Sequence, residues 1–194
     1  MYQVYTTKAI IIKSTPVGEA NKLYFLLTRE LGFIKASAQS VRLEKSKLKG
    51  HLQDFCLVNI SLVKGKEIWR ITSVETVEQK PFVENLEKLV VVKNIFSLLL
   101  RLLHGEEKNE ELFNSVETFY DFISKTKISN EDLKNLEVIV VLRILYFLGY
   151  FKDSSVLAPF ATSTELSLEL LTSLQDKRKL AISEINAALH ETSL

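Results

Sequence analysis

The 194-residue sequence has little of the chemistry on which most enzymes depend. Its single cysteine, Cys56, permits neither an internal disulfide nor a cysteine zinc cluster, and lies in an apolar, strand-like run that suits a buried thiol. The three histidines, His51, His104 and His190, show no metal-ligand spacing. The six glycines occur singly, so the sequence contains no glycine-rich phosphate loop. These absences predict a binding protein, not an enzyme, without metal or cofactor.

Long hydrophobic runs are also missing. The longest apolar stretch, residues 89–103, is interrupted by Lys93, Asn94 and Arg101 and is too short to cross a bilayer. The N-terminus lacks the basic start, apolar centre and cleavage site of a secretion signal. We therefore expect a cytoplasmic protein, whose 46% hydrophobic content is ample for packed cores.

The charge is distributed unevenly along the chain. Residues 1–80 carry 13 Lys and Arg against 7 Asp and Glu, a net +6, whereas residues 81–194 carry 12 against 17, a net −5. Because excess positive charge attracts polyanions, the first part is the candidate for binding nucleic acid.

Residues 1–80 show short apolar runs, rich in β-branched residues, that are separated by turn residues. This pattern predicts five strands, at about residues 5–13, 22–28, 33–40, 55–63 and 67–77. Five strands with no long helix between them indicate a small closed barrel. In the third strand, alternation predicts an inner set of Ile34, Ala36 and Ala38 and an outer set of Phe33, Lys35, Ser37 and Gln39. In the fourth strand, Cys56, Val58, Ile60 and Leu62 should form one apolar face.

Residues 81–194 change to helical periodicity, and Pro81 is well placed to begin a helix, so we expect a domain boundary there. The fold class predicted is α+β in two domains, a barrel at 1–80 and an all-helical domain at 81–194. We expect helices at about 82–104 and 110–125, and a third opened by Ser129 and ended at Gly149. A capping-box spacing at residues 162–165 predicts a fourth, and a fifth should cover about 179–189.

The stretch from residue 35 to 50 carries five cations against one carboxylate, Glu44. Its end, residues 42–49, has little core-forming pattern and is called the basic loop below. Such a loop suits a phosphate backbone, although a solvated connector would have the same composition. The outer face of the third strand combines an aromatic ring, a cation and hydrogen-bonding groups, which suits single-stranded nucleic acid. The predicted DNA contacts are Lys35, Arg42, Lys45, Lys47 and Lys49, with Phe33 beside them and Lys13 and Lys22 as second-tier candidates.

Several segments, in this order and spacing, resemble the RecO family of bacterial recombination mediators. The segment Gly18-Glu19-Ala20-Asn21-Lys22 resembles its Gly-Glu-x-Asp-Arg/Lys motif, and Thr28 to Gly32 resembles its Thr-x-x-x-Gly turn. The pattern from Arg42 through Gly50 to Phe55 is similar to its basic loop, and residues 142–150 are similar to its Leu-Arg-x-Leu-x-x-Leu-Gly-Tyr helix end. Three features depart from the family: Asn21 replaces the usual acid, Ala38-Gln39-Ser40 stands where Ala-Lys-Gly is common, and residues 151–161 contain none of the zinc-finger cysteines.

The resemblance implies an OB-fold that binds single- and double-stranded DNA and anneals complementary strands. It also implies cooperation with RecR in loading RecA onto DNA covered by single-strand-binding protein, whose acidic C-terminal tail is held by the helical domain. Zinc is not carried over, and packing of Val156, Leu157 and Phe160 should replace the finger. Two alternatives stay open, a protein-interaction adaptor and an OB-fold protein that binds RNA.

Overall fold

The computed structural model describes residues 3–78, 85–151 and 156–191. The chain divides into two compact units, one comprising Met1–Lys80 with Leu103–Phe113 and the other comprising Pro81–Leu102 with Asn114–Leu194. The boundary predicted at residue 81 and the helix start predicted at residue 82 both fall outside the described residues, so both stay predictions.

The first unit contains a closed five-stranded antiparallel barrel with one parallel contact. Its strands follow the neighbour order β1-β2-β3-β5-β4, and β1 is long enough to pair with both β2 and β4. A short parallel contact, Ala36 with Trp69 and Ser37 with Arg70, joins β3 to β5. The strands are β1 (Val4–Val17), β2 (Asn21–Thr28), β3 (Gly32–Ala38), β4 (Leu57–Lys64) and β5 (Trp69–Glu78). The predicted fold class, an OB-fold barrel followed by helices, is confirmed.

The barrel interior follows the alternation of the strands. Ile34, Ala36 and Ala38 of β3 are buried in one hydrophobic cluster, as the sequence predicts. The predicted apolar face of the fourth strand also lies in that cluster, with Cys56 as a buried free thiol just before β4 begins. Period-two patterning therefore identifies the inward side of the third and fourth strands correctly.

The segment Leu103–Phe113 belongs to the barrel unit although it follows the first helix. Gly32, with φ +71°, lies so close to it that an added Cβ would be 2.1 Å from the carbonyl oxygen of Glu107. The guanidinium of Arg29 lies 5.4 Å from the centre of the Phe113 ring. The glycine at this turn is therefore required both by the backbone angle and by the close approach.

The second unit is all-helical. Leu136, Ile139 and Val140 of the third helix are buried at its centre. Ser129 caps that helix by accepting a hydrogen bond from the backbone N–H of Asp132, and Gly149 follows it with φ +76°, both as predicted. No helix in the described part of the chain is long and apolar enough to cross a membrane. The α-helices are α1 (Leu86–Leu102), α2 (Glu110–Lys125), α3 (Asn130–Phe147), α4 (Ala158–Thr162), α5 (Leu168–Ser173) and α6 (Arg178–Glu191). The first turn of α2, up to Phe113, is grouped with the first unit.

The region that lacks the zinc finger differs from expectation in two details. A short helix, α4, is present where none was predicted, and the cap of α5 is Ser167, which accepts from the N–H of Leu170, instead of a residue in 162–165. Leu157 and Phe160 are buried as predicted, but Val156 is 44% exposed. Arg143 also holds the region, because its buried guanidinium donates to the carbonyls of Phe160 (3.1 Å) and Glu165 (2.7 Å). Burial lowers the pKa of Arg143 to about 10, so it stays charged at neutral pH.

Candidate nucleic-acid interface

The basic loop is more ordered than its sequence suggests. Val41 and Leu52, on either side of it, are buried in the barrel cluster, and Leu48 packs against that cluster from within the loop. Successive backbone turns, such as Ser46 N–H to the Leu43 carbonyl and Lys49 N–H to the Ser46 carbonyl, connect these anchors. The segment has little core-forming pattern, as expected, because its anchors follow neither a helical nor a strand period, yet these anchors hold it against the barrel.

These anchors force the intervening lysines outward. Lys45, Lys47 and Lys49 are all exposed. Within the part of the chain that the structure describes, the side chains of these three lysines make no hydrogen bond or ion pair. Three solvated ammonium groups on a short anchored loop form a surface that suits a phosphate backbone.

Arg42, at the start of the loop, uses part of its hydrogen-bonding capacity to hold the loop in place. Its guanidinium donates to the Gly18 carbonyl at 2.8 Å, and its backbone N–H donates to the Ala20 carbonyl at 3.0 Å. A guanidinium has five N–H donors, so Arg42 keeps donors for a phosphate while it joins the loop to the β1–β2 turn. Arg42 is exposed.

The departures from the family at Asn21 and Ser40 are in contact. Ser40 has φ +55°, in the left-handed region where the family often has glycine, and its backbone N–H donates to the Asn21 side-chain oxygen at 2.9 Å. The Asn21 amide therefore helps to hold a conformation that costs an L-residue free energy. Lys22, next to it, lies at the barrel end, with its Nζ 3.4 Å from the Ser14 hydroxyl.

A second cationic region runs across the outer face of the barrel. Lys13 of β1, Phe25 of β2 and Lys35 of β3 are direct cross-strand neighbours, so they form one row. Both lysines are exposed, and the ammonium of Lys35 lies 5.7 Å from the centre of the half-buried Phe25 ring. A row of an aromatic ring between two cations is a combination that binds single strands.

Phe33 corrects one expectation. It is on the outer side of β3, but only 8% of it is exposed, because it is paired with the buried Leu27 and stacked on Phe25 at a centroid distance of 6.4 Å. A covered ring cannot stack on a base in this conformation, so Phe25 takes its place as the aromatic candidate. Sequence reasoning missed Phe25 because the two lysines beside it, Lys13 and Lys35, lie on other strands.

Sequence reasoning also missed the hairpin between β4 and β5. Lys64, Lys66 and Arg70 are all exposed there, and Arg70 is the register partner of Ser37 on β3. The signal was present in Lys64-Gly65-Lys66, which lies between the predicted fourth and fifth strands. Pairing of β3 with β5, a non-local contact, brings these cations beside the outer face.

Tyr24 shows how the loop is joined to the barrel interior. Its hydroxyl donates to the Leu52 carbonyl at 3.4 Å. Burial, and secondarily the nearby carboxylate of Asp54, raise the pKa of Tyr24 to about 12, so it remains neutral at physiological pH. Among the residues that the structure describes, no group of three or more His, Cys, Asp or Glu side chains is placed to hold a metal ion.

The first 80 residues match the family described as "Recombination protein O N terminal". A protein named DNA repair protein RecO from Dehalococcoides mccartyi is 46% identical over 74 residues, which are 38% of this chain and 29% of that protein. The DNA repair protein RecO from Gloeothece citriformis is 30% identical over 147 residues, which are 75% of this chain and 47% of that protein. The one from Clostridium novyi is 28% identical over 154 residues, 77% of this chain and 58% of that protein.

The closed barrel, its strand order and its basic outer surfaces define a chain of the OB-fold class with an appended helical unit. The chain spans about half or less of the length of the first two of these relatives. By its family match and these relatives, the chain belongs to the RecO family.

Proposed function

We propose that this chain is a mediator of DNA repair and recombination that binds single- and double-stranded DNA through its barrel. The observation that carries the proposal is the basic loop, in which Lys45, Lys47 and Lys49 are held outward between residues anchored in the core. Arg42, Lys35, Lys13 and Lys22 extend the cationic surface. Contacts of this kind recognise a phosphate backbone with little sequence preference, which suits a protein that handles any damaged region.

The resemblance to the family supports the proposal of finer activities. The chain anneals complementary strands and, with RecR, helps to load RecA onto DNA covered by single-strand-binding protein. It acts in the cytoplasm, without enzymatic turnover and without zinc. The supporting observation for the last two points is the scarcity of metal-ligand and nucleophile motifs in the sequence.

The helical unit offers one surface for the acidic tail of single-strand-binding protein. A groove of about 440 Å³ lies between α3 and α6, with Val138, Val141, Ile182 and Ile185 as its apolar lining and Lys134 beside them. Ile182 is 42% exposed. A peptide that combines acidic and apolar side chains would be complementary to this mixture, and its carboxylate would compete with Glu131, whose carboxylate lies 3.5 Å from the Lys134 ammonium.

The test combines two titrations. A fluorescently labelled oligonucleotide should bind the chain with an affinity that falls as salt is added, and complementary strands should anneal faster with the chain than without it. Absence of binding at low salt would favour the adaptor alternative. Tighter binding to a matched RNA than to DNA would favour the RNA-binding alternative.

A further inference from the structure

The barrel is closed by one short contact between β3 and β5, which is called the seam below. Within the residues that the structure describes, these two strands pair only at Ala36 with Trp69 and at Ser37 with Arg70. By contrast, β2 and β3 pair along the whole length of β3. Parallel pairing, as at the seam, is also slightly less stable per residue than antiparallel pairing. The seam is therefore the weakest closure of the barrel.

Trp69, the only tryptophan of the chain, lies at the seam and is only 3% exposed. Its ring meets the Tyr5 ring edge to face at 5.2 Å, and the Lys64 ammonium lies 5.2 Å from its ring centre. Its indole N–H donates to Oε1 of Glu106 at 2.8 Å. Because a buried N–H that loses its acceptor carries the full desolvation penalty, the Glu106 carboxylate stabilises the buried position of Trp69.

Glu106 belongs to the segment Leu103–Phe113, called the strap below, which groups with the barrel. Its second oxygen, Oε2, accepts from the Lys64 ammonium at 3.1 Å. The two side chains of this ion pair are 62% and 44% exposed, so the pair contributes little to stability. The hydrogen bond from the Trp69 indole is therefore the contact through which Glu106 holds β5.

The next residue of the strap contacts the other strand of the seam. Gly32, the first residue of β3, lies so close to Glu107 that an added Cβ would be 2.1 Å from the Glu107 carbonyl oxygen. Further along, the strap is anchored by Phe113, which is fully buried and lies under the Arg29 guanidinium. Two consecutive residues of the strap thus lie against β5 and β3, one on each side of the seam.

The strap leads directly into α2. The side-chain oxygen of Asn109 accepts from the backbone N–H of Leu112 at 2.9 Å, and its carbonyl accepts from the N–H of Phe113 at 3.1 Å. Asn109 therefore caps α2 from within the strap, only a few residues after Glu106 and Glu107. The order of the first turn of α2 limits the freedom of those two residues.

We propose that the strap is a conformational switch for the barrel, in which Glu106 and Glu107 hold β5 against β3 and a loosened first turn of α2 releases them and opens the seam. An open seam separates Ser37 from Arg70 and exposes Trp69. A binding event that orders or loosens the start of α2 then changes the outer face of the barrel. The inference goes beyond the proposed function, because it concerns the closure of the barrel and requires no nucleic acid.

The first test compares two substitutions of Glu106 in the full chain. Its readouts are acrylamide quenching of the Trp69 fluorescence and hydrogen exchange of the backbone amides at the seam. Glu106→Ala removes the acceptor of the indole N–H, so quenching should increase and the seam amides should exchange about 10-fold faster or more. Glu106→Gln loses the ion pair but keeps a side-chain oxygen that accepts from the indole, and it should resemble the parent.

A second pair displaces the strap from the other strand. Gly32→Ala and Gly18→Ala both place a Cβ on a backbone with positive φ, +71° and +61°, so their backbone costs are similar. Only the Cβ at position 32 meets the strap, whereas nothing lies within 4 Å of the one at position 18. Gly32→Ala should therefore expose Trp69 to acrylamide, and Gly18→Ala should not.

A third pair tests the link to α2. Asn109→Ala and Ser129→Ala each remove one helix cap, that of α2 and that of α3. Only Asn109→Ala should increase the quenching of Trp69 and the exchange at the seam. Thermal melts of every variant set a measuring temperature below the unfolding transition.

Three results would overturn the inference. Parental quenching and exchange in Glu106→Ala would show that Glu106 does not hold the seam, and parental values in Asn109→Ala would show that α2 does not control it. Equal effects within the Gly32 and Gly18 pair, or within the Asn109 and Ser129 pair, would reveal general destabilisation instead of release of the strap. If Glu106→Ala does not fold, the other two pairs still decide. No measurement uses an oligonucleotide, so failure here leaves the proposed function untouched.

Discussion

Replacement of Lys45, Lys47 and Lys49 together by alanine tests the main surface of the proposed interface. Each phosphate contact to a single strand contributes about 0.7 to the salt slope, so three contacts contribute about 2. At 0.1 M salt, each contact is then worth about 5-fold in affinity, and the three together about 100-fold. Fluorescence anisotropy with a labelled oligonucleotide, repeated at several salt concentrations, measures both quantities.

The triple variant should fold like the parent. The three side chains are exposed and make no hydrogen bond or ion pair within the described residues, so each change should alter the free energy of unfolding by no more than about 0.5 kcal/mol. The matched control is Lys93→Ala/Lys127→Ala/Lys179→Ala, three exposed lysines of the helical unit. Parental affinity and slope in the triple variant would show that the basic loop is a solvated connector, and the phosphate contacts would then have to lie on the Lys35 face.

Three further predictions concern stability and metal content. Ser40→Gly should stabilise the chain by about 0.5–1 kcal/mol in urea denaturation. The φ of +55° costs an L-residue about 1–2 kcal/mol, and the larger conformational entropy that glycine loses on folding offsets part of that gain. A destabilised variant would contradict this prediction. Because burial raises the pKa of Tyr24 from 10 to about 12, its contribution to stability is full below pH 10 and is lost as pH rises towards 12. Tyr24→Phe should therefore show a smaller drop in urea midpoint between pH 9 and pH 11 than the parent, and an equal drop would refute the assignment. Elemental analysis should find no stoichiometric zinc, and a chelator should leave the melting temperature unchanged; one zinc per chain would overturn this.

The barrel was predictable because its information is local. The alternation that places Ile34, Ala36 and Ala38 inside can be recognised within the seven residues of β3. Pairing of β3 with its neighbouring strands agrees with that alternation. The same applies to α3, whose cap at Ser129 and end at Gly149 are both short-range signals. Five such strands in succession leave few topologies, and a closed barrel is one that avoids exposed edges.

The parts that were missed depend on contacts between distant residues. Val41, Leu48 and Leu52 have no period, so nothing in the sequence marks them as anchors of the basic loop. The covering of Phe33 results from its neighbours on β2, and the position of Arg70 results from pairing of β3 with β5. Residues 103–113 lie within the predicted helical domain, 81–194, yet they cluster with the barrel.

Titration of the unaltered chain with a labelled single-stranded oligonucleotide, over a series of salt concentrations, measures directly whether the barrel contacts phosphates. We expect binding at low salt that weakens steadily, with a slope of log K against log salt of about −2 or steeper, because at least the three lysines of the basic loop contact phosphates. Binding that is independent of salt, or no binding at low salt, would contradict it.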